Sequence, residues 1–110
     1  MAAGVYNLTI EQGSTWQLTM SIDQPAGTDT DITNYTFSPK IAESYYDESP
    51  ITMTYSITSA ATGTVKLSLT AAQTEALDPN IEYVWDVDMT DTSDITTRLL
   101  QGRATISAGL

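Results

Sequence analysis

Asp86 and Asp88 are the residues with the clearest claim on chemistry. They stand two positions apart in Ile81-Glu82-Tyr83-Val84-Trp85-Asp86-Val87-Asp88-Met89. On an extended strand this spacing puts their Cα atoms about 6 to 7 Å apart on one face. Two carboxylates at such a separation can act on a glycosidic bond. That reaction also needs a sugar platform and one carboxyl held protonated by its surroundings. The neighbouring residues supply neither, and a solvated strand face accounts for the pair. Asp86, Asp88, Asp91 and Asp94 cluster around one turn and form a weak calcium candidate, because calcium takes carboxylate oxygens. Their spacing is not that of the helix–loop–helix calcium loop, and its glycine is missing. Asp29 and Asp31 make a similar weak set in another loop. Acidic residues in turns more often bond their own backbone.

The chain has no His and no Cys. The usual general base near neutral pH, the commonest metal ligand, thiolate chemistry and disulfides are all missing with them. Ser and Thr are plentiful, but Lys40 and Lys66 carry no adjacent motif that would activate a hydroxyl. The six glycines are scattered and form no phosphate-cradling loop. The residues therefore read as non-enzymatic, with no catalytic group, no cofactor and no metal beyond the weak calcium candidates.

The charge balance narrows the partners. Fourteen acids face four bases, Lys40, Lys66, Arg98 and Arg103, for a net charge of −10 over 110 residues. Phosphate backbones are gripped by clustered cations, so nucleic acid is not an expected partner. No apolar run approaches the roughly 20 residues of a membrane helix, and no basic, apolar, small-residue succession at the start reads as a signal peptide. No membrane association is expected. The acidity itself favours solubility and repulsion between copies.

The elements that must position these residues are strands. Tyr83, Trp85, Val87 and Met89 alternate with Glu82, Val84, Asp86 and Asp88, one set for the core and one for water. Thr90 to Asp94 is a turn, and Ile95 to Ile106 returns as the second arm of a hairpin. Upstream, Val5 to Ile10 reads as a strand with Tyr6, Leu8 and Ile10 on one face. Thr15 to Ile22 turns Trp16, Leu18, Met20 and Ile22 inward. Asp23 to Asp31 is a polar loop. Ile32 to Glu43 resumes a strand through Tyr35, Phe37 and Ile41. Pro39 shares that parity and donates no ladder hydrogen bond, which predicts an edge strand or a bulge. Ala42 to Pro50 is a second polar loop. Ile51 to Ile57 alternates through Ile51, Met53, Tyr55 and Ile57, and Thr64 to Leu69 through Val65, Leu67 and Leu69. One helix is predicted, about two turns long, opened by a capping box of Thr70 and Gln73 and closed by Asp78-Pro79-Asn80.

This pattern predicts one all-β domain over residues 1–110, with residues 1–4 a flexible N-terminal arm that orders on a neighbouring subunit. The expected architecture is an immunoglobulin-like β-sandwich of about seven antiparallel strands with one short connecting helix. A small open barrel is the alternative. Five residues are candidate interface contacts. Val5 directly follows the N-terminal arm. Tyr45 and Tyr46 are neighbours in a polar loop, where one can pack on the domain and the other is left for a partner. Arg98 and Arg103 either balance Asp86 or Asp88 across strands or reach another molecule.

Three stretches carry a family resemblance. They are Tyr6-Asn7-Leu8-Thr9-Ile10-Glu11-Gln12-Gly13 with Thr15-Trp16-Gln17-Leu18; Ile32-Thr33-Asn34-Tyr35-Thr36; and the run from Gly63 through the capping box and Tyr83-Val84-Trp85-Asp86-Val87 to Thr97-Arg98-Leu99-Leu100-Gln101-Gly102-Arg103-Ala104-Thr105-Ile106-Ser107. Their order resembles the small β-sandwich structural proteins of tailed bacteriophages, found with tail, baseplate and fibre proteins, including the N-terminal domain of baseplate upper proteins. Pro39 and Tyr45-Tyr46 depart from the plainer strand and loop of that family. The resemblance implies a non-catalytic virion protein, assembled in the host cytoplasm. It would be a tail, baseplate, collar or fibre-attachment adaptor whose partners are other virion proteins of the tail, fibre, portal or capsid. A symmetric homo-oligomer in the particle is expected. A capsid decoration (cement) protein and a receptor- or glycan-binding module are the alternatives.

Overall fold

The structure, a computed structural model, describes residues 4–22 and 31–109. Among them are nine strand segments and one helix: β1 (Gly4–Val5), β2 (Leu8–Glu11), β3 (Trp16–Ser21), β4 (Thr36–Ala42), β5 (Ile51–Thr52), β6 (Thr54–Ser59), β7 (Thr64–Leu69), α1 (Ala71–Glu75), β8 (Tyr83–Thr90) and β9 (Thr96–Ser107). Sheet A runs β1-β9-β8-β4-β5, with β2 also on β9; sheet B runs β3-β7-β6. The two sheets pack as a sandwich, and no barrel closes. The order β9-β8-β4-β5 against β3-β7-β6 is that of an immunoglobulin domain whose first strand lies beside its last. Two pairings depart from the antiparallel expectation: β1 and β2 both run parallel to β9.

Alternation builds the core. Tyr83, Trp85, Val87 and Met89 of β8 are buried, as are Val65, Leu67 and Leu69 of β7. Phe37 of β4 meets Tyr55 of β6 edge-on, with ring centroids 5.4 Å apart, and links the sheets. In β3, Trp16, Leu18 and Met20 face the same core but stay partly exposed, because β3 is an edge of sheet B.

Several expectations need correction. The first predicted strand is broken at Tyr6 and Asn7, and Tyr6 is half exposed instead of buried with Leu8 and Ile10. The cause is Trp85. Its indole N–H donates to the Tyr6 carbonyl oxygen at 2.7 Å, reaching across Gly102, which pairs with Trp85 on β9. The main chain of Tyr6 turns inward to supply that acceptor. Of the predicted flexible arm, Gly4 belongs to β1 and pairs with Leu100; residues 1–3 lie outside the described residues, as do 23–30 of the predicted polar loop. The predicted strand from Ile32 begins only at Thr36. Asn34 sits at φ 67, and Tyr35 N–H donates to the Ile32 carbonyl at 3.0 Å, which closes a turn first.

The predicted strand Ile51 to Ile57 keeps its parity but changes sheets. β5 pairs with β4 in sheet A, β6 pairs with β7 in sheet B, and buried Met53 is the crossing point. Met53 N–H donates to the Pro39 carbonyl at 2.9 Å. Pro39 is therefore in the strand next to the edge, not at the edge. Its missing donor faces the β5 side, where the ladder covers only Lys40 and Ile41, so no β8 hydrogen bond is lost.

Helix α1 starts as predicted. Thr70 Oγ1 accepts from Gln73 N–H at 3.2 Å, and Gln73 Oε1 accepts from Thr70 N–H at 2.9 Å. The helix is shorter than predicted because the β2–β3 turn caps it. Gln12 Nε2 donates to the carbonyls of Glu75 and Leu77. Fully buried Thr74 accepts from Gly13 N–H at 3.0 Å and donates to the Ser14 carbonyl at 2.8 Å. Further on, the Tyr83 hydroxyl accepts from Asp78 N–H at 2.8 Å and fixes the entry to β8.

Two substitutions test this framework. Gly102→Ala places a methyl against the Tyr6 carbonyl and the Asn7 side chain, and is expected to cost about 1–3 kcal/mol in urea unfolding. Thr74→Val keeps the shape and leaves Gly13 N–H and the Ser14 carbonyl without their buried partner; a loss of about 1–3 kcal/mol with an unchanged m-value is expected.

Candidate functional site: the outer face of sheet A

Val84, Asp86 and Asp88 are outward residues of β8. Ladder register fixes their neighbours: Ala42, Lys40 and Ser38 on β4, and Arg103, Gln101 and Arg98 on β9. Arg98 occupies its place because β9 carries a bulge. Val87 pairs with Leu100 and Asp88 with Arg98, which leaves Leu99 without a partner on β8. The local bend aims Arg98 between two carboxylates: its Nε lies 3.6 Å from Asp86 Oδ2 and 3.4 Å from Asp88 Oδ1. Its Nη1 donates to Gln101 Oε1 at 3.3 Å. Arg103 pairs with Glu82 at 3.3 Å, both well exposed.

Tyr45 lies over this face. It leaves the β4–β5 loop and spans β8, so that its hydroxyl donates to the Gly102 carbonyl on β9 at 3.4 Å. On one side of the ring is an open depression of about 420 Å³ lined by Val5, Asn7, Val84, Gln101 and Arg103. On the other is a smaller one of about 120 Å³, reached by Lys40, Asp47, Pro50 and Asp86. Val5 faces outward because it pairs in parallel with Gln101. Asn7 holds the corner, its Oδ1 accepting from Arg103 N–H at 3.0 Å. Val5 is 73% exposed and Tyr45 56%; Tyr46, beside it, is 94% exposed.

The structure thus gathers Val5, Tyr45 and Arg103 around one depression and sets Arg98 on the same face. Tyr46 stands free of the domain, while Tyr45 is tied to it through its hydroxyl. Both arginines pair with carboxylates inside the chain. The calcium candidates separate. Asp86 and Asp88 flank Arg98, while Asp91 Oδ1 accepts from Ser93 and Ile95 N–H within the hairpin turn, and Asp94 takes a left-handed φ of 62 there. Among the described residues, no three acidic side chains converge as a metal site would require. Asp29 lies outside the described residues. Asp31 accepts from the Thr33 hydroxyl and N–H, which holds its carboxyl below the usual value.

Sequence reasoning missed Val84, Gln101 and Gly102 as parts of this surface. Val84 carried a signal, an apolar residue at a position of water-facing parity.

The electrostatics of the pair are uneven. Partial burial pushes Asp86 above its ordinary value near 3.8, and the Asp88 charge adds to this; Arg98 and Lys40 offset part of it.

No protein-family model matches the chain, and no curated protein matches it either. The face presents an exposed aromatic ring beside Val5 and Val84, with ion pairs across the strands.

The raised Asp86 carboxyl gives a pH prediction. The folded state binds that proton more tightly than the unfolded chain, so ionised Asp86 opposes folding at neutral pH. The penalty is lifted as pH falls through the folded value toward about 3.8. Asp86→Asn is expected to hold or raise neutral-pH stability, within about 0.5 kcal/mol, and to remove that acid-side gain. Melting temperature against pH for both proteins checks it.

Proposed function

We propose that the chain is a non-enzymatic structural protein of a tailed-bacteriophage virion, a tail, baseplate, collar or fibre-attachment component that joins other virion proteins. The observation that carries this reading is the contact face on sheet A, where Val5, Tyr45 and Arg103 surround one depression and Tyr46 projects beside it. The resemblance of the three sequence stretches to virion β-sandwiches supplies the context.

The mechanism is mechanical. The sandwich acts as a rigid block, with strands locked by the Trp85–Tyr6 and Thr74–Ser14 hydrogen bonds. β9 runs the length of the block. Gly4 pairs with Leu100, whereas Gln12 N–H, beyond β2, bonds the Ser107 carbonyl. Weak contacts made by such a block gain strength through repetition in a symmetric particle.

The experiment is location. Particles from the genome that encodes the chain are purified on a density gradient and probed with antibody to it. Labelled particles are expected, with tails and tailless heads resolved separately: tail label supports the adaptor, and head label the capsid-decoration alternative. A chain missing from purified particles overturns the proposal, as does glycan binding by the purified chain without particle association.

A further inference from the structure

Each sheet of the sandwich has two edges, and an edge strand carries backbone N–H and C=O groups with no neighbour to bond. Sheets avoid unwanted pairing there through breaks, bulges, short strands and charge. Three of the four edges use such devices. Sheet A ends on one side in β1 and β2, which are interrupted at Tyr6 and Asn7 and finish on Glu11. On its other side is β5, two residues long and preceded by Pro50. In sheet B, β6 shifts register against β7 between Ile57 and Ser59.

The fourth edge, β3, has none of them. Its residues pair with β7 without a shift, from Trp16 with Leu69 to Ser21 with Thr64. From Ser14 to Ile22 there is no charge, proline or glycine, in a chain of net charge −10. Register defines the free side. Ile22 N–H donates to the Gly63 carbonyl at 2.9 Å, the next step of the same antiparallel ladder. Trp16, Leu18 and Met20 therefore form the hydrogen-bonded pairs with β7. Gln17, Thr19 and Ser21 turn their N–H and C=O groups to the open side, and all three residues are exposed. Among the described residues, no strand lies beyond them. Trp16, Leu18 and Met20 face the core but remain partly exposed at this edge.

We propose that β3 pairs antiparallel with β3 of a second copy, about a two-fold axis at Thr19, and joins the two B sheets into one. An open ladder of backbone groups is completed by an extended strand. That strand must bring apolar side chains at every second position to cover Leu18 and Met20, and no charge to the seam. β3 meets both conditions itself, because its apolar and polar positions mirror about Thr19. With Thr19 opposite Thr19, Gln17 stands opposite Ser21 of the other copy and Leu18 opposite Met20. The open groups of Gln17, Thr19 and Ser21 then face one another in register and form about six new hydrogen bonds. A two-fold axis requires such self-complementarity. The occupant follows from the backbone and the residues of β3, and the inference does not depend on the virion reading.

Sedimentation equilibrium of the intact chain near physiological salt is expected to show a dimer, and amide exchange followed by NMR locates it. The N–H groups of Gln17, Thr19 and Ser21 exchange fast in dilute solution and slow at least about tenfold as the dimer fills, whereas those of Leu18 and Met20, bonded to β7, are protected throughout. Thr19→Glu sets two carboxylates against each other on the axis and is expected to weaken dimerisation at least about tenfold. Lys66 lies opposite Thr19 on β7 and keeps the melt of that variant close to the parent's. Thr54→Glu puts the same charge on β6, the other edge of the sheet, and is expected to weaken dimerisation less than about twofold. Thr19→Glu and Thr19→Lys, each weakly associating alone, pair with each other when mixed. A chain that stays monomeric to millimolar concentration overturns the proposal. So does a dimer in which those three amides stay unprotected, one that Thr54→Glu weakens as much as Thr19→Glu, or failure of the mixture to pair.

Discussion

One hydrogen bond joins the start, the middle and the end of the chain. The buried Trp85 indole needs an acceptor, because a desolvated N–H without one would cost about 1–3 kcal/mol. Its acceptor is the Tyr6 carbonyl, two strands away, and Gly102 lies between them. Only a residue without a side chain lets the Tyr6 main chain come this close. The N-terminal strand breaks at this point, and β1 continues on the far side with Val5 turned outward. Gly102 then serves both surfaces of the sheet. It clears space for Tyr6, and its carbonyl receives the Tyr45 hydroxyl. The corner that holds Val5, Tyr45 and Arg103 is thus a consequence of how the core satisfies a tryptophan.

What could be read in the sequence followed the range of each interaction. The Thr70–Gln73 box acts over three residues, and the parity of β8 over eight; both are plain in the residues. The sandwich follows from counting such runs. The break at Tyr6 depends on partners 79 positions away, so no local pattern announces it. The passage from β5 to β6 is hidden for another reason. Met53 keeps the inward parity of its neighbours while the backbone changes sheets, so a continuous alternation conceals a change of layer. Pro39 was visible as a problem, and its solution was not: the absent donor points to the side where the neighbouring strand ends early. At the site, the arginines, tyrosines and Val5 were legible as types suited to contact. Their assembly around Val84 depended on register between strands, which the sequence does not print.

The acidity has a structural origin beyond solubility. Asp31, Asp47, Asp78 and Asp91 each accept backbone N–H bonds within two to four residues. Tight turns favour Asp because its carboxylate substitutes for a backbone acceptor. A sandwich with many short strands needs many turns, and turns gather at its ends and edges. Four of the fourteen acids are accounted for in this way. The carboxylates so engaged are committed to their own loops, which is why Asp91 does not join Asp86 and Asp88. The sheet faces are relieved of that role. On sheet A, Asp86 and Asp88 share Arg98, and Glu82 pairs with Arg103. Turn chemistry in the loops and cross-strand pairing on the sheet together set how these carboxylates are distributed over the described surface.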